Sequence, residues 1–168
     1  MTVTEPCRFT GSDAVISDDG IYRYRLQRIW DGGLGPWVLF IMLNPSTADA
    51  FDDDPTIRRC IGFAKSWGFG GMLVCNLFAL RSTSPKSLYE SADPLGSLNN
   101  AYIGDATRYT RRTICAWGAH GSFCGAGEKM LSSLEAPYCF GVTKNKQPKH
   151  PLYLRRDAEA LPYKDFLP

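Results

Sequence analysis

The chain has 168 residues, 44% of them hydrophobic and 21% charged, which describes one folded domain over 1–168 and excludes a disordered or low-complexity protein. Its 19 Lys+Arg against 17 Asp+Glu give a formal net charge of +2, too balanced for a histone-like arm or an acidic tail, though compatible with a local basic face. The longest apolar stretch, Trp37 to Leu43, is far short of the roughly 20 residues that span a bilayer, and no basic region followed by an apolar one opens the chain, so a cytoplasmic protein is expected.

Gly20 to Trp30 alternates Tyr22, Tyr24 and Leu26 with Arg23, Arg25 and Gln27, the period-two pattern of a half-buried strand. Its expected partner is an earlier strand near Cys7 to Phe9, making an N-terminal antiparallel pair. After the turn cluster Asp31 to Pro36, the unbroken apolar run Trp37 to Leu43 predicts a strand buried on both faces. Asp54-Pro55 then supplies a cap followed by proline at the first helical position, and Ile57, Ile61 and Ala64 fall at helical spacing, predicting a helix that ends near Trp67-Gly68. Met72 to Cys75, Thr113 to Trp117 and Tyr138 to Val142 predict further strands, and Leu95 to Arg112 and Gly125 to Leu134 predict helices. Strands alternating with helices imply a three-layer α/β/α domain with a mainly parallel central sheet.

Ligands of open parallel sheets bind beyond the carboxyl ends of the strands, so the residues following each apolar run are the candidates. Asn44-Pro45-Ser46-Thr47, Asn76, Gly118-Ala119-His120 and the stretch from Thr143 and Lys144 to Lys149-His150 follow the four runs. The Asn44 amide can hold a water with one group and meet a base or sugar with the other, aimed by Pro45; the same four residues also make an ordinary turn. The Asn76 carboxamide can pair with the Watson–Crick edge of a nucleobase, or cap a loop. An imidazolium at His150 can stabilise negative charge on a leaving group, or sit in an exposed loop.

Cys7, Cys60, Cys75, Cys115, Cys124 and Cys139 contain no CxxC pair, and only His120 and His150 are present, so no metal or cofactor site is indicated. Cys75, Cys115 and Cys139 lie in apolar runs and read as small buried hydrophobes. The run Asp49 to Asp54 reads as helix-start electrostatics. No P-loop, GxGxxG or GxSxG motif occurs. Arg58, Arg59, Arg81, Arg111, Arg112, Lys144, Lys146, Lys149, Arg155 and Arg156 are suited to phosphate contacts, or to a solvated surface.

The order of these motifs resembles the uracil-DNA glycosylase superfamily. In that superfamily, strands end in a motif such as Gly-Ile-Asn-Pro-Gly, in a base-reading asparagine and in Trp-Gly, and a loop reads His-Pro-Ser-Pro-Leu. The corresponding stretches are Met42-Leu-Asn-Pro-Ser46, Leu73-Val-Cys-Asn76, Ala116-Trp117-Gly118 and Lys149-His-Pro-Leu152-Tyr153-Leu. The chain also resembles an uncharacterised prokaryotic family, domain of unknown function 1643, which shares the Leu-Asn-Pro-Ser-Thr-Ala-Asp stretch. The glycosylase resemblance implies that Asn44 positions the attacking water, Asn76 reads a flipped pyrimidine and His150 stabilises the departing base. Leu152 or Tyr153 would wedge into the vacated stack, and Phe51 or Phe78 would stack on the base. Leu152 stands where that pattern has a serine, and Asn44 where other branches place an acidic residue.

The leading expectation is a metal-independent N-glycosidase acting on a base in DNA, ahead of RNA, or on a related nucleotide. The alternative is a non-catalytic nucleic-acid or nucleotide-binding module on the same fold, and a third is a different transferase or lyase.

Overall fold

The computed structural model describes residues 11–168. In chain order its strands are β1 (Asp13–Ile16), β2 (Arg23–Ile29), β3 (Trp37–Met42), β4 (Gly71–Asn76), β5 (Arg112–Cys115), β6 (Tyr138–Cys139) and β7 (Leu161–Pro162); its helices are α1 (Pro55–Ser66), α2 (Lys86–Glu90), α3 (Asn99–Tyr109) and α4 (Ala126–Ser133). The strands form one seven-stranded sheet in the order β1-β2-β4-β3-β5-β6-β7. The inner strands β4, β3, β5 and β6 run parallel. At the two edges, β1–β2, β2–β4 and β6–β7 pair antiparallel. The fold is therefore α/β with a mixed sheet, which corrects the expectation of a mainly parallel one: the amino-terminal hairpin docks on β4 and the chain end folds back on β6.

The antiparallel pair was placed correctly in kind and shifted in position. β2 pairs with Asp13–Ile16, and the segment Cys7 to Phe9 lies outside the described residues. β2 is also more buried than its alternation predicts. Arg23 and Gln27 are as deeply buried as Leu26, because β2 lies inside the sheet between β1 and β4.

Successive side chains of β3 feed opposite faces, as the strand period requires. Val38, Phe40 and Met42 join a cluster completed by Ile57, Cys60, Phe63 and Ala64 of α1. Leu39 and Ile41 join a second cluster with Leu88 of α2, Ile103 and Ala106 of α3, and Met130 and Leu131 of α4. The start of α1 matches its sequence signals: Asp54 Oδ1 accepts from the Ile57 N–H at 2.8 Å, with Pro55 in the first turn. β4 runs one residue further at each end than the predicted Met72 to Cys75, whereas α3, α4, β5 and β6 are shorter than expected. α3 begins only after Gly96, where φ is +80°, and ends where Thr110 turns extended. β6 stops before Gly141, which adopts φ +125°.

Cys60, Cys75, Cys115 and Cys139 are free and buried. Burial pushes the Cys75 thiol up to about 12 and also raises those of Cys60, Cys115 and Cys139. They pack as small hydrophobes. Among the described residues, no helix is long and apolar enough to cross a membrane.

Phe40 is fully buried where β3 meets α1. Phe40→Ala should destabilise the fold by about 3–5 kcal/mol, read from urea unfolding. Leu34→Ala, at a position 80% exposed, should change it by less than about 0.5 kcal/mol. Equal effects of the two substitutions would contradict the core assignment.

Candidate functional site

β3 lies between β4 and β5. The chain leaves it through α1 to reach β4 on one side and later returns to β5 on the other. Such a reversal opens a crevice beyond the strands' carboxyl ends. A cleft of about 460 Å³ lies there, and Asn44, Ser46, Trp117, Gly118, His150, Leu152 and Tyr153 all line it, together with Arg23, Asp54 and His120. Four stretches far apart in sequence thus meet at one opening.

The remaining candidates lie elsewhere. Pro45 is buried beside Asn44, its carbonyl accepting the Ser82 N–H at 2.8 Å. Phe51 is 92% exposed and outside the cleft. Phe78 is buried in the second core cluster, 5.6 Å from Phe123 between ring centres. Neither phenylalanine is placed to stack on a cleft-bound base. Lys149 is exposed and lies over Gly141 rather than in the opening.

Asn76 is only 1% exposed and does not line the cleft. It pairs with Met42 at the last position of the β3–β4 ladder, so its side chain is still inside the sheet. Its Oδ1 accepts from Arg23 Nη2 at 3.4 Å, and the Asn99 amide donates to its carbonyl at 2.9 Å. The expected base-reading asparagine instead supports an arginine that does reach the cleft.

Asn44 lies two residues past the end of β3, where the ladder has released it. Its Nδ2 donates to Ser82 O at 3.0 Å, to Pro45 O at 3.2 Å and to Leu80 O at 3.4 Å. Three carbonyls around the nitrogen fix which way the amide points, since none of them can donate to the oxygen. The donor end therefore fastens the loop at residues 80–82. Among the described residues nothing donates to Oδ1, which leaves an acceptor for water or ligand. Turn chemistry occupies one end of the side chain and leaves the other end unpaired among the described residues.

His150 sits on a loop held to β5 and α4. The Gly118 N–H donates to Pro148 O at 2.8 Å, and with φ +76° and ψ −171° position 118 needs glycine. Trp117 Nε1 donates to Gln147 Oε1 at 2.8 Å, and Gln147 Nε2 donates to Glu128 Oε1 at 2.6 Å. The indole can lie there because residue 121 is glycine: a Cβ at that position would be 2.0 Å from the ring. Trp117 is therefore a wall whose only donor is already committed to positioning the histidine loop.

The Leu152 N–H donates to His150 Nδ1 at 3.3 Å. A neutral ring accepting at Nδ1 carries its proton on Nε2. Burial lowers the His150 pKa below its ordinary value, with Asp54 opposing. Both the lowered pKa and the contact at Nδ1 favour a neutral imidazole with its proton on Nε2 over the imidazolium expected from the sequence.

Arg23 is 2% exposed. Its Nη1 donates to Ala48 O at 2.9 Å, and among the described residues its Nε has no partner. Burial pulls its pKa down to about 10, with Asp54 opposing, so the guanidinium stays charged at neutral pH. Asp54 lines the same cleft while capping α1. His120 stands at the rim, its Nδ1 sharing a 2.8 Å hydrogen bond with Tyr89 Oη. Sequence reasoning assigned none of these three to the site. Arg23 was indistinguishable from the solvent-facing arginines of an alternating strand, and Asp54 was already explained as a cap. His120 had been placed on the rim but given no role.

The acidic run is only partly helix-start chemistry. Asp53 pairs with buried Arg28 at 2.8 Å, and Asp49 Oδ1 accepts from the Phe51 N–H at 2.8 Å. These contacts hold the loop that leads into α1.

A lowered histidine pKa means that the folded state binds this proton less readily than the unfolded chain. The associated stability is complete above the unfolded value of about 6.5 and is lost as pH falls towards the folded value. His150→Gln should therefore flatten the fall in urea midpoint between pH 7.5 and pH 5. Asp19 and Asp49, whose pKa values are also lowered, titrate below that window. An unchanged fall in the variant would remove His150 as its source.

No curated protein and no solved structure matches the chain. A family described as "Protein of unknown function (DUF1643)" matches residues 23–152, a span that runs from the cleft's buried Arg23 to Leu152 at its mouth. The chain belongs to that family.

Proposed function

We propose that the cleft hydrolyses an N-glycosidic bond, releasing a nucleobase from DNA or from a related nucleotide, on a three-layer α/β/α scaffold of the uracil-DNA glycosylase kind. The observation that carries this reading is the pairing of orientations at the cleft: Asn44 offers an acceptor oxygen, while His150 offers a neutral Nε2–H.

Each orientation suits one half of the reaction. Asn44 Oδ1 accepts a hydrogen bond from water and aims its lone pair at the anomeric carbon. As the C–N bond breaks, its electron pair leaves with the base. His150 donates from Nε2 to the anion that results, an interaction stronger in the transition state than before it. Water adds to the oxocarbenium-like sugar, and Asp54, which lines the same cleft, takes the proton that water loses, on the oxygen not used to cap α1. This carboxylate supplies the base missing from the position of Asn44. Arg23 lies beneath as a fixed cation that favours acceptor atoms or negative charge on the leaving group.

Further support comes from the strand ends. Three of the resembling stretches end or directly follow the parallel strands β3, β4 and β5, at the same end of the sheet. Tyr153, 91% exposed at the mouth, is free to contact a neighbouring nucleotide.

The test is base release from oligonucleotides carrying uracil, hypoxanthine or a mismatch, scored as strand scission after alkali. Scission by the wild type should fall about 10²- to 10³-fold in His150→Gln, the loss typical of one transition-state donor, and by a comparable factor in Asn44→Ala. Tight binding without scission by the wild type would overturn hydrolysis and leave a nucleic-acid-binding module on this fold.

A further inference from the structure

The geometry points to a second ligand site, at the opposite end of the sheet, for a phosphate-bearing nucleotide held by Arg111 and Arg112 against an aromatic wall. Both are among the basic residues suited to phosphate contacts or to a solvated surface. They precede and open β5, where Arg112 pairs with Val38 near the start of β3. Asn44 follows the other end of that strand, roughly 20 Å away at about 3.3 Å per residue.

A cleft of about 880 Å³ opens at this end, lined by Arg111, Arg112, Trp67, Phe69, Tyr138 and the carboxylate-bearing Glu135 among others. The guanidinium carbon of Arg112 lies 4.6 Å from the Tyr138 ring centre and 5.9 Å from that of Phe69. The rings support the cation without using its N–H groups. Among the described residues, no carboxylate or carbonyl pairs with the side chain of Arg111 or Arg112. Arg108, by contrast, has Asp105 at 3.6 Å within its own helix. Arg111 is exposed, and its backbone N–H is fastened to Trp37 O at 2.9 Å. Two unpaired guanidinium groups on adjacent residues, one held in place by rings, offer charge and directed donors suited to a phosphate.

The ligand's other half follows from the walls. Trp67 is half-buried against Phe40, Phe63 and Phe140, with its remaining surface on this cleft. Flat apolar surface beside two cations matches a heterocycle carrying a phosphate better than a bare anion. Glu135 opposes an anion and therefore sets the sign of a test.

Calorimetric titration of the full chain with adenosine monophosphate, adenosine and inorganic phosphate tests the site. The monophosphate should bind at least about tenfold more tightly than adenosine. Arg111→Gln should weaken it about tenfold, the value of one charge-assisted contact. Arg112→Lys, which keeps the charge but loses the fork, should weaken it as well. Glu135→Gln, an exposed change, should tighten it, whereas Asn44→Ala should leave it unchanged. A short oligothymidylate displaced by the monophosphate would identify the nucleotide as part of a strand; an oligothymidylate that fails to bind would identify a free one. The inference is overturned if the monophosphate does not bind at millimolar concentration. It is overturned equally if Arg111→Gln and Glu135→Gln leave the affinity unchanged, or if Asn44→Ala abolishes binding. None of these outcomes depends on base release at the other cleft.

Discussion

The position of β3 constrains everything else in the molecule. It is hydrogen-bonded in parallel to β4 on one side and β5 on the other, and a strand in that place cannot have both of its carboxyl-side neighbours covered by one connection. The chain must go over one face through α1 and reach the other neighbour through α3, whose core contacts lie in separate apolar clusters. A notch therefore remains where the two paths diverge. Asn44 enters it two residues beyond Met42, the last paired position, whereas Asn76, the partner of Met42, is buried behind it against Arg23.

A notch between loops would be poorly defined without ties, and polar groups supply them. The Asn44 amide is held by loop carbonyls at residues 80 and 82, Gly118 fastens the loop before His150, and the Trp117–Gln147–Glu128 chain anchors the same loop to α4. Each tie spends a donor, and what each leaves unspent is the chemistry of the site. Asn44 keeps its oxygen, and His150 keeps Nε2–H because Nδ1 is occupied. Loops carry these cleft-lining groups, and fixed hydrogen bonds give them the precision that loops alone lack.

Much of this architecture was legible in the sequence, for identifiable reasons. α1 announced itself through Asp54-Pro55 and its apolar spacing, and β3 through an apolar run too continuous for a strand with a wet face. The convergence of Asn44, Gly118 and His150 followed from one rule about parallel strands. Register and partner choice were not legible. Alternation along Tyr22 to Gln27 reads the same whether β2 is an edge strand or lies inside the sheet, so the burial of Arg23 was invisible. That the Asn76 side chain turns to Arg23 and not to the cleft was equally invisible, since it depends on the burial of that arginine. Which end of the sheet Arg111 and Arg112 occupy was not legible either, because charges clustered in sequence carry no information about which strand terminus they flank.

Arg23 shows how the fold and the cleft depend on one another. Removing a guanidinium from water is costly unless its donors are met and its charge is opposed. Ala48 O and Asn76 Oδ1 meet two of its N–H groups, and Asp54 opposes its charge without forming a direct pair; among the described residues its Nε remains unmet. A methionine of similar length would fill the space and remove the electrostatic cost, so packing gives no reason for arginine here. A fixed positive charge under a cleft does give one, since a group that carries acceptors or acquires negative charge in the cleft would supply the compensation that the protein leaves incomplete. The same reasoning makes Asn76 intelligible: buried behind the cleft, it orients the cation that faces whatever the cleft admits.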